Sequence, residues 1–281
     1  MDIKVEESVD RSGEGKMGKI ILITGASSGI GAACARYLAD RGHTVYGTGR
    51  KVSGTAGAVK MIVMNVDSDA SVKRAFKTVL DKAGRIDVVV NCAGFAVMGS
   101  VEETPIADAH AQMETNFFGV LRVCQAVMPI MRSQGEGLIV NISSLGGVQG
   151  LPFSGLYSAT KFAVEGMTEA LRLEAAAFGI RVALVEPGDF RSALAARRIL
   201  VKPGASYGSF YKKLKEAQDK DEAKAGDPIL VAKLLEKIID SSKPTLRHSV
   251  GMLSQRMIIP LKKILPQRIF EAILRVALPI K

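Results

Sequence analysis

Lys19-Ile20-Ile21-Leu22-Ile23-Thr24-Gly25-Ala26-Ser27-Ser28-Gly29-Ile30-Gly31 decides the fold of this chain. Its first half is a short apolar run, fit for a strand buried on both faces. Its second half is a glycine turn. The residues from Ile30 to Arg41 that follow are helical in pattern, and Gly42 is placed to end that helix. A strand that turns through glycines into a helix lets the backbone approach a pyrophosphate held at the helix N-terminus. The spacing here is Gly-x-x-x-Gly-x-Gly rather than Gly-x-Gly-x-x-Gly. By itself it also fits a plain strand-to-helix turn.

Outward from this stretch the alternation continues. Strands are expected at 44–47, 61–64, 86–90, 137–142 and 180–185, with an edge strand at 247–250. Helices are expected at 71–83, 105–131, 154–178 and 228–240, the last with Asp227 as N-cap and Pro228 in its first position. Strands alternating with helices imply an α/β fold with a doubly wound parallel sheet in a single domain. Residues 1–18 read as a flexible leader, 19–254 as the catalytic domain and 255–281 as a helical, basic C-terminal extension. Residues 189–225 show no strand-like alternation.

The chain has 281 residues, 47% of them apolar, enough for a sizeable core. Its formal charge is +10, and half of that excess sits in the last 26 residues. Neither zinc spacing nor an aromatic-interleaved basic stripe accompanies the charge, which argues against nucleic acid as a partner. Cys34, Cys92 and Cys124 are far apart and odd in number, which argues against a disulfide framework and a metal site. His43, His110 and His248 are scattered and suggest no Ser-His-Asp triad. The first 19 residues carry charge and no apolar stretch, and no run is long enough to span a bilayer. The expected compartment is reducing and cytoplasmic.

The second strand should end beside the adenosine ribose of a bound dinucleotide. An acid there suits the 2′-hydroxyl of NAD, an arginine the 2′-phosphate of NADP. Here the segment reads Gly47-Thr48-Gly49-Arg50-Lys51 and has no carboxylate. Arg50 is a planar fork suited to a phosphate, so the expectation is NADP(H) over NAD(H). Further along, Tyr157 and Lys161 are four residues apart and share a helix face. A nearby ammonium favours the phenolate and should lower the phenol pKa, which suits proton transfer. Ser144 lies thirteen residues upstream, with Ser143 as its competitor.

Together these residues resemble the short-chain dehydrogenase/reductase family, whose fold is of the Rossmann type. Thr24-Gly25-x-x-x-Gly29-x-Gly31 matches its cofactor motif, and Asn91-Cys92-Ala93-Gly94 looks like its Asn-Asn-Ala-Gly element with Cys92 in place of the second Asn. Asn116, Ser144, Tyr157 and Lys161 match its catalytic set, and Pro187-Gly188 the segment beside the nicotinamide. The resemblance implies hydride transfer between the cofactor and a carbonyl or alcohol carbon, with Tyr157 as acid-base and Ser144 on the substrate oxygen. It implies that Lys161 holds the cofactor ribose and that Asn116 anchors a water chain reaching Lys161. Cofactor contacts carried over are Gly25, Ser27, Ser28, Gly29, Ile30, Gly31, Arg50, Asn65, Val66, Asn91, Ala93, Gly94, Tyr157, Lys161, Pro187, Gly188 and Ser192. Asn65-Val66 stands where the family often has Asp-Val, and Ser192 where it usually has Thr. A homodimer or homotetramer is also implied.

The loops that would choose the substrate are apolar, and Leu145, Phe153 and Phe190 are expected on the pocket wall beside Ser144 and Tyr157. Asp227-Pro228, Arg247-His248-Ser249-Val250-Gly251 and the tail resemble the 17β-hydroxysteroid-dehydrogenase-like branch, which implies a steroid, retinoid or other lipid-like substrate. Reduction of a 3-oxoacyl thioester on a carrier protein and a non-catalytic NADPH-binding role remain alternatives. In the tail, Ile269, Phe270, Ile273, Leu274 and Ala277 form an apolar sector opposite Arg268, Glu271 and Arg275. Two readings stand for residues 256–281: a tail packed over the cleft or against a second copy, and a basic amphipathic helix in peripheral contact with a membrane.

Overall fold

Ile20–Ile23 forms β1, the strand from which the sheet grows in both directions. The computed structural model describes residues 18–51, 55–191, 198–223 and 225–277. After β1 the chain runs through α1 (Gly29–Asp40), β2 (Thr44–Gly49), β3 (Thr55–Ala56), β4 (Val59–Val63), α2 (Asp69–Ala83), β5 (Val88–Asn91) and β6 (Val97–Met98). Next come α3 (Ile106–Met113), a π-helical turn (Glu114–Phe118), α4 (Gly119–Gln134), β7 (Gly137–Ile142), a 3-10 turn (Leu145–Gly147), α5 (Gly155–Ala176) and β8 (Ile180–Pro187). The last part holds β9 (Ile199–Leu200), α6 (Gly208–Ala223), α7 (Ile229–Asp240), β10 (Arg247–Val250), α8 (Leu253–Arg256), α9 (Ile258–Ile264) and α10 (Gln267–Ala277).

The main sheet has the order β10-β8-β7-β5-β1-β2-β4-β3. Every neighbouring pair is parallel except β3 with β4. Because strand side chains alternate between faces, the apolar runs serve two cores. Ile21, Ile23, Val88 and Val90 pack on the face covered by α1 and α7. Leu22, Val89, Ile139 and Val182 pack on the other, under α2, α4 and α5. This is the doubly wound Rossmann-type arrangement, in one domain.

Three sequence expectations need correction. The helix expected at 105–131 is one unbroken helical run from Ile106 to Gln134 but not α-helical throughout: the π-helical turn lies between α3 and α4 and holds buried Asn116. Residues 189–225 contain β9 and α6, which pattern reading missed because two-residue β9 is too short for alternation and half of the residues of α6 are charged. Helix α7 begins at Ile229, with Asp227 Oδ1 accepting a hydrogen bond from the Ile229 N–H at 2.9 Å. Residues 1–17 of the leader expected at 1–18, together with Ser192, lie outside the described residues.

Candidate active site

The sheet divides between β1 and β5: the chain proceeds to β2 and β4 on one side and to β7, β8 and β10 on the other. Loops at the carboxyl ends of these two strands part at such a switch point and leave a crevice. Here it is a cleft of about 490 Å³. Thr24, the residue after β1, holds its two sides together: its Oγ1 accepts from the N–H groups of Cys92 and Ala93, each at 2.9 Å. Gly25 has φ +69°, and a Cβ there would lie 2.8 Å from Ala93 Cα. That position therefore requires glycine twice over, for its dihedral and for its clearance.

Gly25, Ser27, Ser28, Gly29, Ile30 and Gly31 line the cleft, where α1 begins. No acid occupies the first turn of α1, so its dipole presents positive potential to the cleft. Arg50, exposed, stands at the rim just past β2. Asn65 and Val66 form the facing lip after β4. Asn65 Oδ1 accepts from the Asp67 N–H at 3.3 Å, so its side chain partly serves its own loop. Thr48 Oγ1 and Asp67 Oδ1 are buried on this wall without a protein partner among the described residues. A site that offers helix N–H groups, a cation and buried polar atoms awaiting partners fits a dinucleotide. Neither Thr48 nor Asp67 was selected from the sequence, because no motif marks them.

Ala93, Gly94, Pro187 and Gly188 also face the cleft. Asn91 does not line it. Its amide donates to Asn141 Oδ1 at 2.9 Å inside the core, where it ties β5 to β7. Asn116 is likewise behind the wall. Its Oδ1 accepts from the Phe95 N–H at 3.0 Å, while its Nδ2 donates to Phe95 O at 2.9 Å and Thr160 Oγ1 at 3.2 Å. One amide thus holds the loop after β5 and touches the residue preceding Lys161.

Ser144, Tyr157 and Lys161 meet at the inner end of the cleft. Ser144 ends the loop after β7 and caps the 3-10 turn, its Oγ accepting from the Gly146 N–H at 3.0 Å. Tyr157 and Lys161 project from the first two turns of α5. The buried Lys161 Nζ donates to Ile142 O at 2.9 Å and lies 5.8 Å from the Tyr157 ring centroid. Burial raises the Tyr157 pKa to about 12, and its hydrogen bond with Ser144 acts in the opposite direction. The lowering expected from the Lys161 pairing is therefore not what the protein alone produces. Burial lowers the Lys161 pKa to about 8, countered by Cys92 and Glu165. Ser143, the competitor, is buried and turned toward Gly147, its Oγ 2.5 Å from where a Gly147 Cβ would sit. Of the two serines, Ser144 is the one hydrogen-bonded to the phenol.

On the substrate side Phe190 lines the cleft as expected, joined by Phe95, Leu151 and Ile199. Leu145 and Phe153 lie behind the wall. Leu145 is buried beneath Gly188, and Phe153, at φ +55°, packs edge-on against Tyr207 and Tyr211. Asp189 and Arg198 bring opposite charges to the same wall. They come from segments without periodicity, so no sequence signal marked them.

Comparison with known proteins agrees with this geometry. A family model described as short chain dehydrogenase matches residues 19–200. The chain belongs to the short-chain dehydrogenase family. Proteins of this family are oxidoreductases that bind NAD(P)(H) and act on small-molecule alcohols and ketones. This short-chain dehydrogenase is 41% identical to a 3-ketodihydrosphingosine reductase of Bacteroides thetaiotaomicron, over 92% of this chain and 97% of that protein. A crystal structure of a short-chain dehydrogenase from Streptomyces avermitilis superposes with a TM-score of 0.79 at 32% identity, covering 88% of this chain and 93% of that one. ElxO with NADP bound superposes with a TM-score of 0.69 at 28% identity, covering 83% of this chain and 98% of that one. Among the described residues no helix is long and apolar enough to cross a membrane.

Proposed function

We propose that this short-chain dehydrogenase is an NADP(H)-dependent carbonyl reductase that takes a lipophilic, long-chain ketone, with Tyr157 as the proton donor. The observation that carries the reading is the Ser144–Tyr157 hydroxyl pair above Lys161, opening into the cleft that the glycine turn also lines. Bound nicotinamide would supply the hydride. Ser144 and Tyr157 would hold the carbonyl oxygen, and Tyr157 would release its proton as charge builds there. A phenol near 12 is protonated at neutral pH, which is the form a donor needs. Lys161, just behind it, would stabilise the phenolate left by the transfer. Asn116 acts through Thr160 as a positioning residue for that turn of α5.

Preference for NADP(H) is supported by Arg50 at the cleft rim, the absence of an acid in 47–51, and a structural relative solved with NADP. A lipid-like substrate is supported by the apolar wall at Phe95, Leu151, Phe190 and Ile199 and by the relative named for a long-chain lipid ketone. Apolar side chains left exposed at the start of α4 and on α5, Phe118 and Leu173, support association into a homodimer or homotetramer. The test is a panel of 3-ketodihydrosphingosine, steroid and retinoid ketones and a 3-oxoacyl thioester, each with NADPH and NADH. The expected result is the highest kcat/KM with a long-chain ketone and NADPH. Turnover confined to the thioester, or better efficiency with NADH, would refute the reading.

A further inference from the structure

The last three helices have an inner face whose contacts are plain and an outer face that is apolar and exposed. On the inner face Gln255 exchanges two hydrogen bonds with Asp189, Nε2 to Oδ2 at 2.6 Å and the Asp189 N–H to Oε1 at 3.1 Å. Lys262 Nζ donates to Val148 O at 2.6 Å, and Phe270 is buried. Asp189 belongs to the cleft wall, and Val148 follows the 3-10 turn that Ser144 caps. The tail is therefore fastened to the rim of the candidate active site.

Among the described residues its outer face has no such partners. Ile264 is 77% exposed, Ile269 51%, Ile273 42% and Val276 82%. On α10, Ile269, Ile273 and Val276 follow each other at spacings of four and three, so they form one row. Arg268 and Arg275 are seven apart and form the row beside it, on the side away from buried Phe270. Lys263, on α9, is exposed as well. The one acid of α10, Glu271, accepts from Gln267 Nε2 at 2.7 Å. The surface is thus an apolar row bordered by cations, the arrangement of a helix that lies in a lipid interface.

We infer that α10 docks this short-chain dehydrogenase on an anionic phospholipid surface, with Ile269, Ile273 and Val276 among the acyl chains and Arg268 and Arg275 at the headgroups. Charge selects this occupant over a second copy of the chain. A self-contact would cover the same apolar row but bring cationic borders against each other, whereas an anionic surface neutralises them. Because the tail is fastened at Asp189 and Val148, docking sets the cleft beside the lipid. That consequence rests on the lipid-ketone reading above; the docking itself does not.

The test is co-sedimentation of the full chain, without substrate, with vesicles of phosphatidylglycerol and phosphatidylcholine and with phosphatidylcholine vesicles alone. The expected result is binding to the anionic vesicles that weakens with salt and little binding to the neutral ones. Ile269→Glu/Ile273→Glu and, separately, Arg268→Glu/Arg275→Glu should each weaken binding by roughly tenfold or more. All four side chains are exposed, so both variants should keep the parent melting curve and the parent rate on a water-soluble ketone. No binding by the parent chain, or binding unchanged in both variants, would overturn the inference. So would a concentration-dependent dimer, seen by sedimentation velocity, that Ile269→Glu/Ile273→Glu dissolves in a protein that ignores vesicles. Failure of the ketone panel with vesicle binding intact would instead count against the substrate reading alone.

Discussion

Lys161 carries a charge that the fold makes costly, and this has a measurable sign. Its pKa falls from 10.5 to about 8 through burial. Between those values the unfolded chain binds the proton and the folded chain does not, so this group's contribution to stability rises with pH across that window. Below about 8 the ammonium is charged in both states, and the shift corresponds to a penalty on the order of 3 kcal/mol. Lys161→Met should therefore be more stable than the parent near neutral pH, less the lost bond to Ile142 O, and the gain should shrink toward pH ~10 in thermal melts. Arg50→Asp tests the cofactor expectation at the same scale. It should raise the KM for NADPH at least tenfold while changing that for NADH little, because a carboxylate would face the 2′-phosphate. Tyr157, Lys161 and Ser144 were legible because their spacings are tied to one helix and one loop. The direction of the Tyr157 pKa was not legible, because burial is set by residues from all over the chain.

At the scale of elements, the π-helical turn at Glu114–Phe118 positions Asn116, and Asn116 fixes the loop that follows β5. Replacing it with Leu would leave the Phe95 N–H without its partner, and the Phe95 C=O with only the Gln112 Nε2 donor at 3.2 Å, in a part-buried place. The expected cost is about 2–3 kcal/mol of unfolding free energy, read from denaturant midpoints at unchanged slope. The parallel strands were readable from short apolar runs because burial on both faces removes alternation. The π-helical turn at Asn116 was not readable, since apolar periodicity continues through 105–131 and a π turn leaves no composition signal. Leu145 and Phe153 show the same limit. Both are apolar and near Ser144 in sequence, yet whether either faces the cleft depends on how the loop folds back, and neither does.

Across the whole molecule, Arg247 of the edge strand β10 ties the sheet to α5. Its guanidinium bonds Glu186 Oε1 at 2.8 Å and also reaches Glu165 and Glu169. Glu165 and Glu186 are both buried, and burial raises the Glu165 pKa. Arg247→Met would leave two buried carboxylates without their cation, a loss of about 3–5 kcal/mol near neutral pH. The loss should diminish as pH falls and Glu165 protonates, which melts of parent and variant at several pH values would show. This network was outside sequence reading: its members are far apart in the chain, and only the sheet order brings them together. The alternation of strands with helices and the glycine turn, by contrast, already implied a dinucleotide crevice. The account turns on Tyr157 as the proton donor in hydride transfer, and single-turnover reduction of a long-chain ketone by Tyr157→Phe tests it most directly. The predicted result is unchanged NADPH affinity with a hydride-transfer rate lower by about 10²–10⁴-fold; a rate within a few fold of the parent, with NADPH still bound, would contradict it.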